Sequence, residues 1–141
     1  MALQFHPNPG AILLCNYDTG FKEPEMVKQR PVVVVTPRLR RREGLCVVVP
    51  MSLTEPTHIE DYHFKLGLSP ALPSPWDAPE CWIKADMIAT VGYHRLTPIR
   101  LGRDRTGKRI YYQSLVSKND LRQIQRAVLC GLNLRHLTQY V

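Results

Sequence analysis

Apolar positions in this chain fall into short runs that treat their polar neighbours differently. Val32-Val33-Val34-Val35 is unbroken and follows Lys28-Gln29-Arg30-Pro31. Four β-branched residues in succession lose χ1 freedom in a helix and suit a pleated surface, which predicts a strand from Pro31 to about Thr36. The lack of alternation means that both faces of this strand are covered. Pro31 has no N–H and fits the first strand position, so Arg30 stands at the lip of a buried strand. Leu45-Cys46-Val47-Val48-Val49-Pro50 has the same character and reads as a pairing partner. Ala11 to Tyr17, after the Pro9-Gly10 turn, reads as the strand before it.

Beyond Ser52 and Thr54, which stand just past the third strand, the pattern changes. Tyr62-His63-Phe64-Lys65-Leu66 alternates and predicts a strand with one open face. Residues 69–79 hold four prolines and can be neither helix nor inner strand. They predict an ordered loop or flap with Trp76 tucked in. Residues 81–91 predict one or two strands broken near Asp86, and Tyr93-His94-Arg95-Leu96 a continuation of the sheet. Residues 100–109 predict a hairpin with a charged tip. At the end the period becomes helical, with Leu121, Ile124, Val128 and Leu132 on one face and Arg122, Gln125 and Arg126 on the other. Ser117 to Asp120 supplies caps, and Gly131 an end. The fold class is mainly β (α+β): five to seven short strands in a coiled or barrel-like sheet, with one C-terminal amphipathic helix. One domain is expected over residues 1–141.

Charge narrows the partners. Nineteen Lys and Arg against twelve Asp and Glu give +7, which favours nucleic acid or an acidic protein through steering and counterion release. No apolar run approaches the roughly 20 residues of a membrane span, and the first ten residues lack the pattern of a secretory signal. A cytoplasmic protein without membrane contact is expected. Cys15, Cys46, Cys81 and Cys130 are scattered, form no Cys-x-x-Cys pair and read as structural, so no metal site is expected. The tracts Arg38, Arg40, Arg41, Arg42 and Arg100, Arg103, Arg105, Lys108, Arg109 either grip a backbone of phosphates or keep loop tips solvated. Phe21, Tyr62, Trp76 and Tyr93 suit either the core or base stacking.

Taken in order, Pro9-Gly10-Ala11-Ile12, Arg30-Pro31-Val32-Val33-Val34-Val35, Val48-Val49-Pro50-Met51-Ser52, Ala85-Asp86-Met87-Ile88-Ala89-Thr90 and the closing helix resemble the MazF/PemK (Kid) toxin family. The resemblance implies an SH3-like small β-barrel that forms a homodimer and is silenced by a cognate antitoxin. It implies sequence-selective cleavage of single-stranded RNA through 2′-hydroxyl attack, with no metal and no cofactor. The catalytic positions it points to are Arg30 and Ser52. Lys28 and the tract Arg38, Arg40, Arg41, Arg42 are the RNA-binding candidates beside them. Two features depart from the family pattern. The loop between the first two strands is long, and Ser52 stands where threonine is common, so Thr54 shares its candidacy. The tract at 100–109 looks like an insertion.

The chemistry suits these residues unevenly. Arg30 can grip two phosphate oxygens and stays charged, so it serves charge stabilisation better than proton transfer. Ser52 can donate to a phosphate oxygen. The base is open among His63, His94 and Glu25, and Glu25 is equally suited to holding Arg30. Asp86 fits a turn or an acid. The competing reading is a non-catalytic SH3-like module that binds nucleic acid or protein, which would need neither Arg30 nor Ser52 at those strand ends.

Overall fold

The computed structural model describes residues 3–141. One antiparallel sheet contains β1 (Ile12–Asn16), β2 (Gln29–Val34), β3 (Leu45–Ser52), β4 (His63–Gly67), β5 (Glu80–Lys84), β6 (Ala89–Gly92) and β7 (Leu96–Pro98). The order is β4-β5-β3-β2-β1-β7, with β6 also on β3. The outer strands β4 and β7 do not pair, so the sheet coils without closing into a hydrogen-bonded barrel. Strands β8 (Arg100–Arg103) and β9 (Arg109–Tyr111) form a separate hairpin, as the charged tract predicted. Helix α1 (Lys118–Gly131) closes the fold, followed by a 3-10 helix at Arg135–Tyr140.

The valine run explains why β2 is central. Val33 and Val35 enter one core with Ile12, Val49, Met51 and Ile83. Val32 and Val34 enter a second with Leu13, Cys15, Val48 and Leu96. All four valines are buried, and burying one such side chain stabilises by about 1.5–3 kcal/mol. Strand β3 serves two partners along one edge: Leu45 to Val48 pair with β6, then Met51 and Ser52 pair with β5. Helix α1 buries Ile124 and Ala127 in the first core, and the Ser117 side chain caps it by accepting from the Asp120 N–H at 3.0 Å. Trp76 packs against the same core from the proline-rich segment.

Four expectations need correction. Strand β2 begins at Gln29, so Pro31 is its third residue, and β3 runs two residues further, ending on Ser52 itself. The residues Tyr93–Arg95 make a 3-10 turn, and the strand is β7 after it. Leu132 lies past the helix and is half-exposed; Ala127 takes the inward position instead. The helix ends where Asn133 takes a left-handed φ of 62° and the Leu134 N–H turns back to Leu129 O at 2.8 Å; Gly131 allows close packing, since an added Cβ would meet Asp86 Cα at 3.0 Å.

Burial pushes the thiols of Cys15 and Cys46 up to about 11 and that of Cys81 up to about 12. A thiol ionises near 9.0 when free, so the unfolded chain loses these protons first as pH rises. Their raised values therefore stabilise the fold below pH 9, and that contribution is lost upward through pH 11–12. Each pH unit above 9 favours unfolding by about 1.4 kcal/mol per thiol. The urea midpoint is expected to hold from about pH 7 to 8.5 and fall steeply by about pH 10.5. Cys81→Ala, less stable at neutral pH, should fall less over that range; an equal fall would show that this thiol is not the cause.

Candidate active site

The site begins with a missing N–H. Val34 donates to Ala11 O on the β1 side (2.9 Å), and Val35 donates to Val47 O on β3 (3.1 Å). Alternation turns the amides of residues 33 and 31 toward β3, and Pro31 has none to give. The β2–β3 ladder accordingly runs from Val34↔Val48 to Val32↔Pro50 and stops. From Met51 onward β3 pairs with β5 instead. Continuing the β2–β3 register by two residues sets Arg30 opposite Ser52, on one face, at the mouth where the strands part.

Arg30 is half-buried and donates through Nε to Val27 O at 3.2 Å. Among the described residues the ion pairs are Arg38–Glu43 at 2.5 Å, Lys65–Glu80 at 3.6 Å and Arg135–Asp61, so the Arg30 Nη groups face no carboxylate. Ser52 is the buried polar residue of the core, 6% exposed. Its Oγ accepts the Thr54 N–H at 3.1 Å, which leaves its own proton to donate. Leu72 and Trp76 pack behind it with Pro31, Met51, Leu53 and Cys81, leaving a cavity of about 10 Å³.

Other candidates divide by position. Lys28 takes a left-handed φ of 71° just before β2, is exposed, and its carbonyl accepts the Tyr17 N–H at 2.8 Å. The Glu25 carboxylate accepts the Lys22 N–H at 3.2 Å, capping its own loop and leaving Arg30 unpaired. Glu25 shares a groove of about 400 Å³ with Asp86, floored by Tyr17, Phe21, Met26 and Ile88; Arg30 and Ser52 do not line it. Asp86 is exposed on the 3-10 turn Ala85–Met87, and Thr54 is exposed beyond β3. His63 lies on edge strand β4, where Nδ1 accepts the Glu60 N–H at 3.0 Å and the ring meets Tyr62. His94, exposed, precedes β7 at the other edge of the sheet.

The tract Arg38, Arg40, Arg41 and Arg42 is exposed in the connection after β2, at the opposite end of that strand from Arg30. Along β2 alone the separation is roughly 13 Å at ~3.3 Å per residue. Arg38 is engaged by Glu43, so this tract does not build the mouth. At the second tract the Asp104 carboxylate accepts from Thr106 Oγ1 and from the Thr106 and Lys108 amides, which hold it below the usual carboxylate range.

Two important residues are not singled out by the sequence. Arg95 Nη1 donates to Asn16 O (3.0 Å) and Thr19 O (2.6 Å), and its guanidinium lies 4.8 Å over Phe21, so it ties down the loop after β1. Trp82 stands beside Ser52 in the β3–β5 register. Its signal was the alternation Glu80-Cys81-Trp82-Ile83-Lys84, in which Cys81 and Ile83 turn inward. Among the described residues no group of three or more His, Cys, Asp or Glu is placed to hold a metal ion, and no helix is long and apolar enough to cross a membrane.

Comparison with known proteins agrees with this architecture. The chain is 29% identical over 155 residues to the uncharacterized protein YifN of Escherichia coli (strain K12), covering 94% of this chain and 96% of YifN. Its fold is similar to that of MazF (Form-I) from Deinococcus radiodurans, with a TM-score of 0.59 and 14% identity over 92% of this chain and 99% of that one. It is similar too to an endoribonuclease from Mycobacterial species solved in complex with its cognate antitoxin, with a TM-score of 0.56 and 22% identity over 91% and 96% of the two chains. Residues 8–130 match the model of the PemK-like, MazF-like toxin of type II toxin-antitoxin systems, and the chain belongs to that family.

Proposed function

We propose that the chain is a toxin endoribonuclease that cuts single-stranded RNA sequence-selectively, without a metal, through attack of the 2′-hydroxyl on the adjacent phosphate. The observation that carries this reading is Arg30 set opposite Ser52 at the mouth opened by Pro31, in a chain of this family. As the 2′-oxygen attacks, the phosphorane gains negative charge. The guanidinium of Arg30, braced by the Val27 carbonyl, meets that charge with its free Nη groups. Ser52, its lone pair taken by the Thr54 amide, donates its proton to a second phosphate oxygen. Glu25 and Asp86 line the groove beside Met26, which Arg30 and Ser52 do not line, so we assign the 2′ proton to a water that passes it to those carboxylates. The bond from phosphorus to the 5′-oxygen breaks, that oxygen takes a proton from water, and the other product ends in a 2′,3′-cyclic phosphate.

The +7 charge favours both RNA and an acidic antitoxin segment. In this reading the chain acts as one unit with an SH3-like sheet, residues 1 and 2 lying outside the described residues, and works in the cytoplasm as a homodimer that its antitoxin silences. The test is cleavage of a long single-stranded RNA by purified protein in EDTA. Discrete cuts ending in cyclic phosphate are expected, slowed about a hundredfold in Ser52→Ala, the scale of one lost oxyanion donor. RNA bound yet uncut, in EDTA and with magnesium alike, would overturn the reading and leave a binding module.

A further inference from the structure

The face that carries Ser52 continues past the mouth. Ser52 pairs with Trp82 on β5, and Trp82 pairs with Lys65 on β4; one step along, Lys84 pairs with His63. The residues between them, Met51, Cys81, Ile83, Phe64 and Leu66, all enter or pack against the first core, the one that α1 covers. The row therefore lies on the opposite face of the sheet. The second core stops short of it, since its members on β3 are Cys46 and Val48. Trp82 and Lys84 are half-buried and Lys65 is exposed.

An indole on an open sheet face has a structural use, since the stem of Lys65 covers it. The charges around it exceed that need. Lys65 Nζ lies 5.8 Å from the ring centroid and 3.6 Å from Glu80, so both its contacts are loose and exposed. Lys84 and His63 share the row, extending the β2–β3 register by two residues places Arg30 beyond Ser52, and Glu80 is the acidic member. A half-exposed aromatic ring with one lysine over it and a second lysine two residues along the strand suits unpaired bases joined by phosphates.

We propose that this face is a stacking subsite for single-stranded RNA next to the scissile phosphate. Trp82 takes one unpaired base on its ring, and Lys65 and Lys84 hold the phosphates on either side. Neighbouring strands lie roughly 4.8 Å apart, so Trp82 meets the nucleotide adjoining the one at Ser52. The inference rests on the nuclease reading and adds to it where the flanking chain runs.

The chain has two tryptophans, so Trp76→Phe leaves Trp82 as the sole reporter. The probe is a mixed-sequence 2′-O-methyl RNA of about 20 nucleotides, which lacks the nucleophile and cannot be cut. Its titration should quench Trp82 fluorescence saturably. Trp82→Ala should weaken its binding by about ten- to a hundredfold, the range for one stacked base, and Trp82→Phe should restore most of it. On cleavable RNA, Trp82→Ala should raise KM with kcat little changed. Binding without quenching, or unchanged affinity and KM in Trp82→Ala, overturns the subsite while the nuclease stands; a face that serves only the antitoxin would give that result. Wild-type protein that neither binds nor cuts RNA removes the subsite together with the nuclease reading.

Discussion

Replacing Arg30 by alanine is expected to slow RNA cleavage by about a thousandfold or more with the fold intact. The side chain is half-buried and touches structure mainly through one bond, Nε to the Val27 carbonyl at 3.2 Å, so its loss costs about 1 kcal/mol of stability. In the proposed reaction its guanidinium fork meets the charge that develops on the phosphorane. Removing one neutral oxyanion donor costs roughly a hundred- to a thousandfold in kcat, and a bidentate cationic donor is stronger. Arg30→Lys should recover little, since a single ammonium cannot both brace on Val27 and bridge two phosphate oxygens. Loss should appear in kcat more than in KM, because the phosphodiester's single charge grows by a second only as the phosphorane forms. Single-turnover cleavage with urea unfolding alongside reads both quantities. Cutting at the wild-type rate in Arg30→Ala would place the chemistry elsewhere.

What could be read in advance depended on whether the signal was local. Val32 to Val35 showed its strand and its double burial because four adjacent β-branched residues carry both facts. Arg30 and Ser52 became a pair through family resemblance; their placement depends on a register set by Val32↔Pro50, residues far apart in sequence within two runs of similar valines. Pro31 was read as a strand start, whereas its missing donor in fact ends one ladder while the other, to β1, runs on. Charge alone made Arg38 to Arg42 candidates for holding an RNA backbone, and charge does not say which end of a strand a loop occupies. Arg95 gave no signal because its partners are backbone carbonyls 79 and 76 residues away. Trp82 was hidden in an apolar run whose period of two emerges only when Cys81 and Ile83 are seen to point inward.

That strand supports the second large expectation: Ile83→Ala should cost about 4 kcal/mol. Ile83 is fully buried in the first core, in register with Met51 on one side and Phe64 on the other. Truncating such a residue costs roughly 2–5 kcal/mol from lost transfer energy and the cavity left behind. Collapse is resisted here because β5 is held by β3 and β4, so the site cannot close by moving the backbone. A domain of this size has about 5–15 kcal/mol in total, so the variant forfeits about a quarter or more of its stability. With m near 2 kcal/mol/M, the urea midpoint should fall by about 2 M. Lys84→Ala, on the opposite face of the same strand, should move it by less than about 0.5 kcal/mol. The contrast tests the two-faced character of β5: Ile83 binds the strand to the core, and Trp82 and Lys84 stay free for a ligand. A loss below about 1 kcal/mol at Ile83 would mean that β5 does not rest on this core, and the open face built on that strand would lose its support.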